Sequence, residues 1–169
     1  MSGTPRALVP QALTAGAFAE FGDVVEARGD SGLINSGTTR QFGDVAGIDV
    51  AGEGGRPCVS IYRATPYPLP LPIRMLERHP LGSQLFMPLS GERFLVVVAP
   101  PAAVPDRAAV RAFVTNGQQG VNYRRGTWHH PLIAFAGTGE FLVIDRAGPG
   151  QNCDEFQFGD AGLELQRPG

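Results

Sequence analysis

The sequence predicts an all-β domain, a barrel or sandwich of short strands. Two observations carry this. The 23 glycines and 15 prolines make up more than a fifth of the 169 residues and punctuate short apolar runs, the pattern of many strands joined by turns. The runs themselves, such as "RFLVVVA" and "EFLVID", are rich in β-branched and aromatic residues. Prolines fall at their ends, where a ladder tolerates them.

Taken along the chain, the first element is a helix. "TAGAFAEFG" offers Thr14 as N-cap and Gly22 as a C-terminal stop, with Phe18 and Phe21 three apart to seat it on a core. Strands are expected at Cys58–Arg63, Gln84–Leu89, Arg93–Val98, Arg111–Thr115, Leu132–Ala136 and Phe141–Asp145. "PLPLPIRMLERHP" begins as an extended, proline-stiffened spacer. No fixed-period repeat occurs. Helix content is limited to one or two short pieces, so the barrel or sandwich stands.

The length suits one domain over residues 1–169, with an extended C-terminal tail from about 155. The formal net charge of -2 gives no electrostatic case for nucleic acid or an anionic membrane. All 14 basic residues are arginine. Without lysine, Schiff-base chemistry and a P-loop are excluded. Cys58 and Cys153 are too far apart in sequence for a CxxC-type metal pair. The N-terminal stretch is interrupted by Pro10, Gln11 and Glu20, so no signal peptide is expected. No apolar run of ~20 residues exists to span a membrane. A reducing cytoplasm is the expected compartment.

"ERHPLGSQLFMPLSGE" carries the chemistry. Side chains two apart on a strand share a face, so Glu77 and His79 point one way and Arg78 the other. Gln84 follows five residues after His79, and Gly91 seven after Gln84. This is the spacing of the first cupin motif, G(X)5HXH(X)3–4E(X)6G, with Glu77 in place of the first histidine and Gln84 in place of the glutamate. The second cupin motif, G(X)5PXG(X)2H, is echoed in "GQQGVNYRRGTWHH", where Gly126 and His129 fit and Arg124 stands at the proline position. Two of the three histidines therefore occupy cupin histidine positions. A cupin-type double-stranded β-helix, the jelly-roll barrel, is the expected form of the all-β fold.

Longer blocks resemble one family within that superfamily. "LERHPLGSQLFMPLSGERFLVVVA", "RAFVTNGQQGVNYRRGTWHHPL" and "FLVIDRAGPGQNCD" are similar to the signature blocks of ureidoglycolate lyase. Val59–Ala64 and Ile34–Gly37 are similar too, so the resemblance runs from about Phe18 to Asp154. "AGEGGRPC" and "PPAAVPDRAAV" depart from it, in loops. The resemblance implies a cupin barrel, usually a homodimer, that splits (S)-ureidoglycolate to glyoxylate and urea in allantoin breakdown.

That elimination requires a base for the hydroxyl proton, an acid for the leaving nitrogen and a grip on the carboxylate. His79 and His129 are the leading acid–base candidates, because histidine titrates near neutral pH. Glu77 and Gln84 complete the catalytic group. They form either a metal set with the two histidines, for a divalent ion such as nickel or manganese, or a metal-free site with Glu77 or a histidine as base and Gln84 bonding substrate. Arg63 is the first choice for the carboxylate and Arg146 the second, since a guanidinium binds carboxylate bidentately. Tyr123 is a candidate donor to substrate. His130 should face away from His129, and Trp128 should pack in the core or at an interface. The degenerate motif also permits a non-catalytic cupin that binds a small carboxylate, or a metal-dependent cupin isomerase or dioxygenase.

Overall fold

A computed structural model describes residues 4–159 and 162–169. The expected all-β architecture is what the chain adopts. Three larger sheets lie in layers, and a two-stranded hairpin pairs Gly32–Ile34 with Thr39–Gln41. A five-stranded sheet runs in the order Gly22–Val25, Gly120–Tyr123, Gln84–Pro88, Gly139–Ala147, Arg56–Ala64. A seven-stranded sheet runs Asp154–Gln157, Met75–Arg78, Trp128–His129, Phe94–Ala99, Arg111–Val114, Gln11–Ala12, with Ile133–Ala134 also on Phe94–Ala99. A third sheet has the order Arg6–Leu8, Leu163–Leu165, Leu71–Ile73. Among the described residues these sheets stay open rather than closing into one continuous barrel.

The strand Phe94–Ala99 shows how the layers share one sheet. All six residues are buried. Phe94, Val96 and Val98 pack into a core with Phe86, Phe141 and Val143 of the five-stranded sheet. Leu95, Val97 and Ala99 pack on the other side with Ile73, Leu163 and Leu165 of the third sheet. A strand buried on both faces reads as an unbroken apolar run rather than an alternation, which is why "RFLVVVA" is so apolar.

The helix is one turn, Ala15–Phe18, capped as expected by Thr14, whose side chain accepts from the Ala17 N–H at 3.3 Å. It ends four residues before Gly22, so Gly22 is not its stop; that glycine opens the strand Gly22–Val25 instead. A Cβ there would collide with the Asn122 carbonyl. One turn is too short to persist on propensity. Burial holds it: Phe18 and Phe21 are fully buried, and Phe18 meets Phe113 edge-on at 5.7 Å. Such burial contributes about 1.5–3 kcal/mol per side chain. Two single 3-10 turns, Gly52–Gly54 and Arg107–Ala109, are the other helical pieces described.

The proline-rich spacer forms two strands that separate at Arg74. Leu71–Ile73 joins the third sheet and Met75–Arg78 the seven-stranded one. The chain beyond residue 153 returns along both: Asp154–Gln157 pairs with Met75–Arg78, and Leu163–Leu165 lies between Leu71–Ile73 and Arg6–Leu8. Residues 160 and 161 lie outside the described ones. Among the described residues, no helix is long and apolar enough to cross a membrane.

Candidate active site

Strand parity decides which side chains meet. On the five-stranded sheet Phe86, Phe141, Val143 and Val121 face the core. Two residues from Phe86 on the same face is Gln84, and two from Val121 is Tyr123, directly opposite it. Ile144 pairs with Leu85, so Asp145, next along the ladder, comes beside Gln84; across from Asp145 is Cys58. One end of the apolar face is therefore a polar row.

The seven-stranded sheet brings its own polar residues to this row. His129 pairs with Val98, which points into the core shared with the five-stranded sheet. His129 also pairs with Glu77, and His79 follows Glu77 on the same face. Trp128 and Arg78 point to the opposite side. There the Arg78 guanidinium lies over the Trp128 ring at 4.7 Å and Nε donates to Asp154 at 2.9 Å. Gly91 and Gly126, the two motif glycines, both have positive φ, +74° and +79°, in the turns beside the strands that carry these residues.

A cavity of about 540 Å³ opens where the polar groups converge. Glu77, His79, Gln84, Tyr62, Asp145 and Phe86 line it. His79 Nδ1 lies 2.6 Å from the Asn152 carbonyl, so it carries a proton and donates. Its Nε2 lies 3.1 Å from Gln84 Oε1. An imidazolium donates to both oxygens; a neutral ring takes the Gln84 amide turned over, with the NH2 donating to Nε2. His79 is thus aimed into the cavity by partners on both nitrogens.

His129 lies behind it. Its ring stacks on Tyr123, centroids 4.2 Å apart and 5° from parallel, and tilts against His79 at 5.2 Å. Nδ1 is 3.9 Å from a Glu77 oxygen, and the buried Nε2 has no partner among the described residues. Burial, with the neighbouring His79 charge, pushes its pKa down to about 3. His129 is therefore a neutral imidazole at working pH. Burial also pushes the Glu77 carboxyl up; His79 opposes this and Glu155 adds to it. The Cys153 thiol is 3.9 Å from Glu77. Cys58 and Cys153 are both free thiols. Tyr62 is raised by burial and by the charges of Asp145 and Glu77.

The structure brings Glu77, His79, Gln84 and His129 together, with Tyr123 packed behind them, Arg63 at the cavity mouth and Arg146 elsewhere. Tyr123 is buried against His129 rather than lining the cavity. Arg63 stands at the cavity mouth, but its side chain follows the outer face of its strand and donates to Glu140. Arg146 is buried and away from the cavity lining. Its N–H groups go to the carbonyls of Gly52, Glu53 and Pro149 at 2.9–3.2 Å. His130 faces away from His129's side, its Nδ1 donating to the Pro131 carbonyl at 2.9 Å, and Trp128 is core. Sequence reasoning missed Asp145, Tyr62 and Asn152. For Asp145 a signal exists: it shares parity with Phe141 and Val143, an acid continuing a core-facing row.

The donor set suits a divalent ion. One ligand atom each of Glu77, His79 and His129 lies within 4.8 Å of the others. Two imidazoles and a carboxylate are a ligand combination for such ions, and the buried Nε2 of His129 has no hydrogen-bond partner among the described residues.

Comparison with known proteins gives one consistent result. The family model described as ureidoglycolate lyase matches residues 5–165. The chain is 51% identical over 164 residues to a ureidoglycolate lyase of Pseudomonas syringae pv. syringae, covering 96% of each chain. It is 53% identical over 165 residues to one from Azotobacter vinelandii, covering 96% of this chain and 99% of that one. A third, from Burkholderia mallei, is 56% identical over 144 residues, 85% of this chain and 84% of that one.

Proposed function

The chain belongs to the ureidoglycolate lyase family, and from that premise we propose the reaction its cavity performs. It eliminates urea from (S)-ureidoglycolate to leave glyoxylate, a step of allantoin and so of purine degradation. The observation that carries this is the convergence of Glu77, His79 and Gln84, from two different sheets, on one cavity. Three acid–base or hydrogen-bonding groups at one opening are what the elimination needs.

In the reaction the hydroxyl proton leaves as the carbon–oxygen double bond forms. The carbon–nitrogen bond breaks, its electron pair stays on the ureido nitrogen, and that nitrogen takes a proton. Substrate and products contain the same atoms, so no water is consumed. Glu77, whose carboxyl is pushed up by burial, accepts the hydroxyl proton. His79, held through Nδ1 by the Asn152 carbonyl, gives its Nε2 proton to the nitrogen as an imidazolium, the substrate taking the place of Gln84 Oε1 at Nε2. The two groups are on one strand face and exchange the proton back between turnovers. Positioned acid–base groups contribute about 10²–10⁴ in rate. His129 stays neutral and, with Tyr123 stacked on it, fixes the back wall.

Arg63 is the carboxylate anchor in this scheme. Its pair with Glu140 is at the surface, and such pairs contribute only about 0–1 kcal/mol, so exchange for a substrate carboxylate is cheap. Arg146 holds the loop around Gly52 rather than substrate. A second arrangement is favoured by the donor geometry: Glu77, His79 and His129, with Gln84 beside them, would hold a nickel or manganese ion. Such an ion supplies Lewis-acid polarisation of the substrate hydroxyl and a positive charge for its carboxylate.

The protein works as one domain over residues 1–169, in the cytoplasm, as a homodimer. The support for the dimer is an apolar outer face on the five-stranded sheet, where Val59 and Ile61 are 66% and 56% exposed. Large exposed apolar patches mark interaction surfaces. Neither nucleic acid nor membrane is a partner.

Purified protein given (S)-ureidoglycolate should release urea and glyoxylate in equal amounts, without ammonia. Urea appearing no faster than in spontaneous breakdown would sink the proposal. Binding without turnover would instead favour a non-catalytic cupin.

A further inference from the structure

We propose that Asp145 recognises the ureido end of the substrate, its two carboxylate oxygens accepting one N–H from each ureido nitrogen. This rests on the lyase function proposed above. Asp145 lies on the face of its strand that Phe141 and Val143 bury completely. Asp145 itself is half-buried: it continues that row to the cavity, where its carboxylate faces the open space. It lines the cavity with Glu77, His79 and Gln84 and stands next to Gln84 in the ladder.

Of the charged and acid–base groups at the cavity, Asp145 alone stands apart; the Tyr62 hydroxyl, also in the lining, is the neutral group without a hydrogen bond among the described residues. His79 is bonded to Asn152 and Gln84, Arg63 to Glu140, and Glu77 is in reach of Cys153 and His129. Among the described residues, Asp145 makes no hydrogen bond and no ion pair. It is a free double acceptor facing the space where substrate must lie.

The substrate has two unlike ends. One is a carboxylate, which Asp145 repels. The other is a neutral ureido group whose two nitrogens present parallel N–H bonds on the edge away from the carbonyl. That edge matches a carboxylate as a guanidinium does, two parallel bonds to two oxygens. The bonds survive in the product, because urea keeps the same edge. Asp145 therefore sets orientation and specificity: it places the ureido nitrogen towards the acid and the carboxylate towards the mouth and Arg63.

The test is product inhibition, since each product carries one end of the substrate. In Asp145→Asn the KM for ureidoglycolate and the inhibition constant for urea should both rise at least tenfold. The inhibition constant for glyoxylate should stay within about threefold, and kcat should fall less than KM rises. Asp145→Ala should reproduce the pattern, and thermal melts of both variants establish that they are folded. An unchanged urea constant in folded, active variants, or a parallel rise for glyoxylate, would overturn the assignment while leaving the lyase function intact. Absence of turnover in the wild-type protein would instead remove the function on which it rests.

Discussion

Tyr123 lies flat against His129, ring centroids 4.2 Å apart and planes 5° from parallel. The stack covers one face of the imidazole, which is buried as a whole, and its Nε2 has no hydrogen-bond partner among the described residues. It separates the two motif histidines by environment. His79 looks into the cavity with both nitrogens engaged, and His129 sits behind it as a neutral ring.

The buried His129 should make the fold sensitive to acid. Its pKa is pushed down to about 3 by burial, against about 6.5 in the unfolded chain. Between those values the unfolded state binds the proton and the folded state does not. Stability is therefore fully present above about pH 6.5 and falls as pH drops towards 3, by an amount on the order of a few kcal/mol. Thermal melts from pH 7 to pH 4 should show this fall, and His129→Gln should flatten it. An equally steep profile in that variant would assign the acid sensitivity elsewhere.

His79→Ala should lower kcat by about 10²–10⁴, the range for loss of a positioned acid or base, with the melting temperature little changed because the side chain borders a cavity. His79→Gln should be equally slow, since it keeps hydrogen bonding to Asn152 but not proton transfer. Steady-state urea release measures both. Wild-type turnover in either variant would remove His79 from the chemistry.

The two arginines should separate cleanly. Arg63→Ala should raise KM by about tenfold to a hundredfold, the worth of a charge-assisted bond to carboxylate. Its stability cost should stay below about 1 kcal/mol, as the ion pair with Glu140 is at the surface. Arg146→Ala should do the reverse. Its side chain is buried and its donors hold carbonyls of Gly52, Glu53 and Pro149. Losing them should cost about 2–4 kcal/mol in unfolding free energy. Denaturant melts and KM measured on the same samples would expose an exchanged assignment.

Nickel or manganese should bind the cluster of Glu77, His79 and His129. Chelator-treated protein should gain melting temperature when either ion is added, and Glu77→Gln should lose most of that gain. An ion that binds only the native state stabilises it by mass action. Activity of the metal-free sample then assigns the roles. Full activity leaves Glu77 and His79 as the proton carriers; activity that returns only with the ion makes them its ligands.

Much of the site was legible in the chain because strand parity is local. The spacing of Glu77, His79, Gln84 and Gly91 placed three polar side chains and a turn before any pairing was known. Gly126 and His129 marked the second wall, and the structure makes Glu77 and His129 ladder partners. The apolar run "RFLVVVA" announced a strand, though not that both its faces are buried in two separate cores.

What the chain could not settle was which face of a given strand turns inward, because that follows from pairing with residues far away in sequence. "SIYRA" contains Tyr62 and Arg63 side by side, and the ladder with Gly139–Ala147 sends Tyr62 into the cavity and leaves Arg63 at its mouth, paired with Glu140. "FLVIDRA" contains Asp145 and Arg146 side by side, and the same ladder gives the cavity to the acid and the Gly52 loop to the arginine. Burial acts in the same way. The sequence by itself determined the all-β class, the motif residues and their shared face. Only the tertiary structure decided which charges face the substrate and which histidine is kept neutral, because side-chain environment is set by the neighbours that distant strands bring.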